Sequence, residues 1–111
     1  MRIAIATEED FVASGFGCSP ACTIVNVEEG KIRETFVIPN SGMKHEYWAD
    51  LFFRNGIRHL IVGSMGAHAR SVMQWHGIEV LSGVEGDIED AVRLFSEGKL
   101  KGQCMPASAT A

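Results

Sequence analysis

The sequence predicts an α/β domain in which a five-stranded mixed sheet is covered by helices. Up to Asn40 the apolar residues form short strand-like runs joined by brief turns, and after it they recur at helical spacing between further short runs. The 111 residues suit one hydrophobic core. We therefore expect the order β-β-β-α-β-α-β-α in a single domain over residues 1–101, followed by a flexible tail at 102–111.

The first half of the chain predicts three antiparallel strands. Residues 2–7 form a buried strand and residues 8–19 a loop, and strands follow at 21–27 and 31–38. The turn Glu28-Glu29-Gly30-Lys31 carries its glycine late, which is typical of a hairpin connection. Short connections of this kind join antiparallel strands, so the three strands should form a meander.

The second half predicts an alternation of helices and strands. The helices are expected at 44–55 and 67–76, with a last one capped by Asp87, and the strands at 58–63 and 78–81. Strands joined through helices pair in parallel by crossover connections. The sheet should therefore be antiparallel in its first part and parallel in its second.

Composition and charge exclude several classes of function. The net charge is −4 and acidic and basic residues are mixed along the chain, so a nucleic-acid partner is not expected. No segment approaches the ~20 apolar residues of a membrane span. The chain enters a strand at Met1-Arg2-Ile3, which is unlike a signal peptide and leads us to expect a cytoplasmic protein. Three cysteines, an odd number, indicate free thiols or metal ligands in a reducing compartment.

Two glycine-containing segments mark a candidate binding site. Gly15 and Gly17 precede Cys18, and a second glycine turn leads from a strand to His68. In an open α/β sheet, ligands bind in the crevice outside the carboxyl ends of the strands. Thiolate and imidazole suit Fe–S clusters, copper and zinc, so we expect Cys18, His45 and His68 to be metal ligands. The full candidate site comprises Gly15, Gly17, Cys18, His45, Gly63, Ser64, Met65, Gly66 and His68.

Other residues are weaker candidates for ligation. Cys22 lies four residues beyond Cys18 in a strand, about 13 Å away, and a buried cysteine more often packs as a small hydrophobe. Cys104 lies in the expected tail. His59 and His76 are expected to be structural, and Met43 to fill a gap in the core. The glycine turn at 63–66 also allows a different interpretation, in which backbone N–H groups and a helix dipole hold an anion.

The order and spacing of several segments resemble the dinitrogenase iron–molybdenum cofactor-binding family, which includes NifX and the C-terminal domain of NifB. The resemblance covers residues 1 to about 100. It rests on the opening strand, Phe16-Gly17, the hairpin at 24–32, Asn40 and His45, the run from Gly56 to Gly66, and Gly77-Ile78-Glu79-Val80. It implies a ribonuclease-H-like three-layer fold. It also implies binding of an iron–sulfur or molybdenum-containing cluster, with no catalysis by the protein itself.

The chain departs from the family pattern at positions that bear on the cargo. The family often has histidine before the Phe-Gly pair and arginine after it, where this chain has Gly15 and Cys18. Near the second glycine turn, His68 stands where the family often has arginine. These changes favour direct metal ligation over an anion site made of arginines.

Three hypotheses for function follow. The first is a carrier or scaffold for a metal–sulfur cluster, with a cofactor-assembly or recipient metalloprotein as partner. The second is a regulatory module that binds a small molecule or anion without metal. The third is an interaction domain that docks to a larger cofactor-assembly enzyme. We expect a monomer or weak homodimer. Nuclease activity is not expected, because the first strand carries no carboxylate for divalent metals.

Overall fold

The computed structural model describes residues 1–16, 19–42 and 44–98. Strands and helices alternate in the second half of the chain, as the change in periodicity predicts. The expected tail at 102–111 lies outside the described residues. The elements are β1 (Arg2–Glu8), β2 (Phe11–Val12), β3 (Ala21–Glu28), β4 (Lys31–Pro39), α1 (His45–Arg54), β5 (His59–Ile61), α2 (Ala67–Trp75), β6 (Glu79–Leu81) and α3 (Ile88–Ser96).

The strands form one mixed sheet in the order β4-β3-β1-β5-β6, with β2 paired only to β1. β3 is antiparallel to both β1 and β4, whereas β5 is parallel to both β1 and β6. The α/β class and the mixed sheet are thus confirmed. Within the described ranges, no helix is long and apolar enough to cross a membrane.

The expected count of five strands was wrong, because the predicted loop at 8–19 contains a sixth. Thr7 pairs with Val12 and Glu8 with Phe11, so β2 folds back on β1 after a turn of two residues. Glu9 occupies that turn with a φ of 57°. Tight hairpins are usually signalled by glycine or asparagine at such positions, and neither is present here. The residues of this turn therefore did not predict the strand.

Helices cover both faces of the sheet, which gives three layers. On one face, Ala4, Ala6 and Leu60 pack with Trp48 and Phe52 of α1, and Met73 of α2 belongs to the same cluster. On the other face a second cluster joins Ile3, Ile5 and Val25 to Ala91 and Val92 of α3. The alternation of β1 side chains between the two clusters follows from the period of two in a strand.

Two local predictions from turn and capping chemistry agree with the structure. Glu29 and Gly30 connect β3 to β4 with φ values of 53° and 78°, the left-handed pair that a two-residue hairpin with matching twist requires. Asp87 caps α3, its carboxylate accepting a hydrogen bond from the backbone N–H of Asp90 at 2.7 Å. Both features are local, so the sequence sufficed to predict them.

Candidate functional site

A crevice lies beyond the carboxyl end of β5, where the segment after β2 runs beside the glycine turn at 63–66. Gly63 donates its N–H to the carbonyl oxygen of Ala13 at 3.0 Å, and Phe16 donates its N–H to the carbonyl of Ser64 at 3.0 Å. The Ser64 hydroxyl donates to the carbonyl oxygen of Ser14 at 2.7 Å. These bonds hold the segment 13–16 against the glycine turn and form one wall of the crevice.

The crevice has a volume of about 540 Å³ and is bounded by that wall and by the first turns of α1 and α2. It contains six of the nine predicted site residues. They share it with Phe16, Ala67 and Ala69, which carry no ligand chemistry and therefore gave no signal in the sequence. The lining residues are Gly15, Phe16, His45, Ser64, Met65, Gly66, Ala67, His68 and Ala69.

Two imidazoles meet in this crevice. His45 is the first residue of α1 and His68 the second of α2, and their ring centroids lie 5.9 Å apart. Because metal–imidazole bonds measure about 2.0–2.1 Å, two imidazoles on one metal have centroids roughly 5–6 Å apart. The spacing therefore allows both rings to bind the same metal. Glu46 stands beside them, with Oε2 3.7 Å from Nε2 of His68.

An aromatic cluster supports His45 from below. The ring centroid of Phe16 lies 5.8 Å from that of His45 and 6.3 Å from that of Trp48, which it meets edge-on. Trp48 in turn contacts Phe52 at 5.7 Å. Phe16 and Trp48 are 4% and 1% exposed, so they form a fixed floor on which the imidazole of His45 rests.

Two helix N-termini point towards the crevice. Gly66, which has no side chain, is the N-cap of α2, and the first turn of that helix is Ala67-His68-Ala69. Lys44 is the N-cap of α1, and its side chain makes no capping hydrogen bond to any described residue. Uncapped N–H groups and the positive end of the helix dipole favour an anion. The crevice thus combines metal-ligating side chains with a backbone suited to negative charge.

Gly63 lies outside the crevice and has a structural role. A Cβ at this position would stand 2.7 Å from the carbonyl oxygen of Ala13 and 2.8 Å from that of Ser14. Only glycine allows the segment 13–16 to approach β5 this closely. Gly63 therefore shapes the wall of the crevice without facing its interior.

Cys22 lies in the core beneath the sheet face that α1 covers. It is 1% exposed, and burial raises the pKa of its thiol to about 12, against a smaller lowering by a backbone hydrogen bond to Ile5. A thiol that stays protonated is a poor metal ligand. Cys22 is thus buried as a small apolar residue, as the sequence predicts.

The remaining predicted residues lie elsewhere in the fold or outside the described residues. Gly17, Cys18, Met43 and Cys104 are outside the described residues. His59 contacts Glu79 at 3.3 Å and the Phe95 ring at 5.0 Å. It is the first residue of β5 and so lies at the end of that strand opposite the crevice. His76, the C-cap of α2, bonds through Nδ1 to the carbonyl oxygen of Val72 in the last turn of that helix at 2.9 Å. Among described residues, no group of three or more His, Cys, Asp or Glu side chains could hold a metal ion.

Comparison with known proteins extends these observations. The model of the family described as dinitrogenase iron-molybdenum cofactor matches residues 1–98. The uncharacterised protein MJ0580 of Methanocaldococcus jannaschii is 29% identical over 106 residues, which cover 91% of this chain and 90% of that protein.

Solved structures of similar proteins share the fold. The crystal structure of PH0822 is 29% identical with a TM-score of 0.79, covering 91% of this chain and 93% of the other. The apo form of the orange protein from Desulfovibrio gigas is 25% identical with a TM-score of 0.74, covering 88% of each chain. With the family model spanning nearly all of the described domain, this chain belongs to the dinitrogenase iron-molybdenum cofactor family.

Proposed function

We propose that this protein binds an anionic metal–sulfur cluster in the crevice and carries it as cargo during cofactor assembly. The observation that carries the proposal is the pair formed by His45 and His68, 5.9 Å apart at the N-termini of two helices. Imidazole nitrogens bind iron and copper, and helix N-termini attract the negative charge of sulfide ligands. Family membership supports an iron–sulfur or molybdenum-containing cluster as the cargo.

The crevice suits a carrier better than a permanent cofactor site. Structural metal sites are closed by four protein ligands, whereas a carrier needs few ligands and an open path for release. The described residues supply two imidazoles and the Met65 thioether on an open rim. We assign a further ligand to Cys18, which is two residues from Phe16 in the sequence and whose thiolate suits a soft metal.

The proposal has further parts that rest on the same reasoning. The protein performs no catalysis, and it receives its cargo from, or delivers it to, a cofactor-assembly or recipient metalloprotein in the cytoplasm. The ribonuclease-H-like fold implied by the family is the scaffold. A second candidate function, anion binding without metal, is favoured by the glycine N-cap of α2, since backbone N–H groups alone can hold an oxyanion.

Anaerobic reconstitution tests the proposal and separates the two candidates. The purified protein is incubated with iron and sulfide, or with tetrathiomolybdate, and passed through gel filtration. We expect visible absorbance and metal to elute with the protein, and the Cys18→Ser variant to lose most of it while remaining folded. In a parallel incubation with molybdate or sulfate alone, retention of the oxyanion by a protein that retains no metal–sulfur species would favour the anion-binding alternative. Unchanged cluster retention by Cys18→Ser would remove Cys18 as a ligand.

A further inference from the structure

Two acidic segments of the chain are brought together on the side of the sheet that α3 covers. The carbonyl of Asp10 accepts a hydrogen bond from the N–H of Ile88 at 3.0 Å, and Val12 donates its N–H to the carbonyl of Gly86 at 2.9 Å. The β1–β2 turn is thereby joined to the start of α3. Together these segments hold seven of the 14 acidic residues: Glu8, Glu9, Asp10, Glu85, Asp87, Glu89 and Asp90.

A groove of about 680 Å³ runs between this acidic wall and the open face of β4. Four carboxylates line one side, and threonine, valine and isoleucine side chains line the other. Within the described ranges, no lysine or arginine lines it. The lining residues are Glu9, Asp10, Thr23, Ile32, Thr35, Val37, Asp87, Ile88 and Glu89.

The floor of the groove is the part of this sheet face, around Val37, that α3 leaves uncovered. β4 is an edge strand, and Val37 on this face is 65% exposed, beside its partner Thr23 on β3. The hydroxyls of Thr23 and Thr7 bond to each other at 2.9 Å, so the buried polar groups beneath the floor satisfy one another. What remains at the surface is a strip of Ile32, Thr35 and Val37 with acidic residues along one side.

We propose that this groove docks a basic, extended segment of a partner protein. Charge complementarity identifies the occupant, because four carboxylates without a lining cation repel an acidic partner and attract lysine or arginine. In an extended chain, successive side chains point to opposite sides. The apolar residues of such a segment can therefore cover Val37 and Ile32 on one side, while its cations reach Glu9 and Glu89 on the other.

Docking in the groove is a role beyond the proposed cargo function. One segment of the chain connects the groove to the crevice. Glu9 and Asp10 line the groove, whereas Gly15 and Phe16, a few residues later, line the crevice. A partner held in the groove would therefore stand beside the segment that forms the crevice wall. The docking itself requires no cluster, so it can be tested on the protein alone.

Titration with a peptide probe tests the proposal. A short amidated peptide of alternating lysine and valine is added to isotope-labelled protein, and backbone amide NMR signals are followed. We expect shifts at Thr23, Thr35 and Val37, and binding that weakens with added salt because the contacts are between exposed charges. The same peptide with glutamate in place of lysine should not bind.

Matched variants locate the contact. The double variant Glu9→Gln/Glu89→Gln should weaken binding about tenfold, since two charge pairs are lost, and Val37→Thr should weaken it several-fold. Phe36→Thr and Glu34→Gln are the controls, because they alter exposed residues of the same strand on its opposite face. Preserved dispersion of the amide signals verifies folding of each variant.

Several outcomes would overturn the docking proposal. Equal loss of affinity in Phe36→Thr and Val37→Thr would mean that the peptide adds to the edge of β4. Shifts confined to the His45 and His68 crevice would place the peptide in the cargo site. Signal broadening that depends on protein concentration without peptide would make a second copy of the chain the occupant. Cluster retention is measured without the peptide, so the two proposals fail separately.

Discussion

The imidazole rings of His45 and His68 lie with their centroids 5.9 Å apart, although the two residues begin different helices. β4, which precedes α1, runs in the same direction as β5, which precedes α2, because β3 is antiparallel to both β4 and β1 and β1 is parallel to β5. The carboxyl ends of β4 and β5 therefore lie at the same end of the sheet. The first turns of α1 and α2 meet there. The proposed cargo site depends on this closeness of the two imidazole rings.

Removal of both imidazoles should therefore remove most of the cargo. We expect His45→Ala/His68→Ala to lose the greater part of the cluster absorbance retained after gel filtration, and each single variant to lose less, because the other ring still binds. His76→Ala is the control, since its ring bonds to the carbonyl oxygen of Val72 at the end of α2, away from the crevice. Equal retention by the double variant and the wild type would contradict metal ligation by these residues.

Gly63→Ala should destabilise the protein and disturb the crevice wall. The added Cβ would meet two backbone oxygens at 2.7 and 2.8 Å, which cannot move aside as a flexible side chain would. Overpacking of this kind costs about 1–3 kcal/mol in the free energy of unfolding. Gly66→Ala is the comparison without a steric clash, because nothing lies within 4 Å of a Cβ at this position and its only expected cost is that of alanine at the N-cap of α2. Urea unfolding of both variants measures the difference, and equal midpoints would refute the close-approach argument.

Glu29→Asn should stabilise the protein. Glu29 has a φ of 53° in the hairpin turn, a left-handed conformation that costs most L-residues roughly 1–2 kcal/mol and that asparagine tolerates better. We expect a gain of up to about 1 kcal/mol, since Asn-Gly is the preferred pair for this turn. Thermal unfolding measures it. A lower melting temperature would show that contacts of the Glu29 side chain outweigh the backbone strain.

Stability should fall as the pH rises above about 9, partly because of Cys22. Its folded pKa is about 12, against an ordinary value of 9.0, so between these values the folded state keeps a proton that the unfolded state has lost. A state that binds more protons loses stability as the pH rises. Between pH 8 and pH 10.5 the wild type should lose roughly 1–2 kcal/mol more than Cys22→Ala, as measured by urea unfolding.

The Cys22→Ala comparison isolates this contribution, because the two proteins differ only at that side chain. An identical pH dependence in wild type and variant would show that the thiol ionises without unfolding. A second variant, Cys22→Ser, should be less stable than wild type at neutral pH, since it buries a hydroxyl in an apolar cluster.

The sequence by itself was enough for the elements whose signals are local. The change from period two to period 3.6 after Asn40 predicted the α/β class, and Asp87 predicted the start of α3. The glycine turns also indicated the residues that line the crevice, because glycine marks places where the backbone approaches closely. These properties depend on neighbours in the chain, so residue types and spacing were sufficient.

Only the tertiary structure decided which distant segments meet. β2 was missed because its turn contains no glycine or asparagine, and its pairing with β1 depends on the fold around it. Gly63 was predicted to face a ligand, whereas it faces the carbonyl oxygens of Ala13 and Ser14. The acidic groove arises because two separate segments are joined by backbone hydrogen bonds. Contacts of this kind are set by sheet order and packing, which a local pattern does not contain.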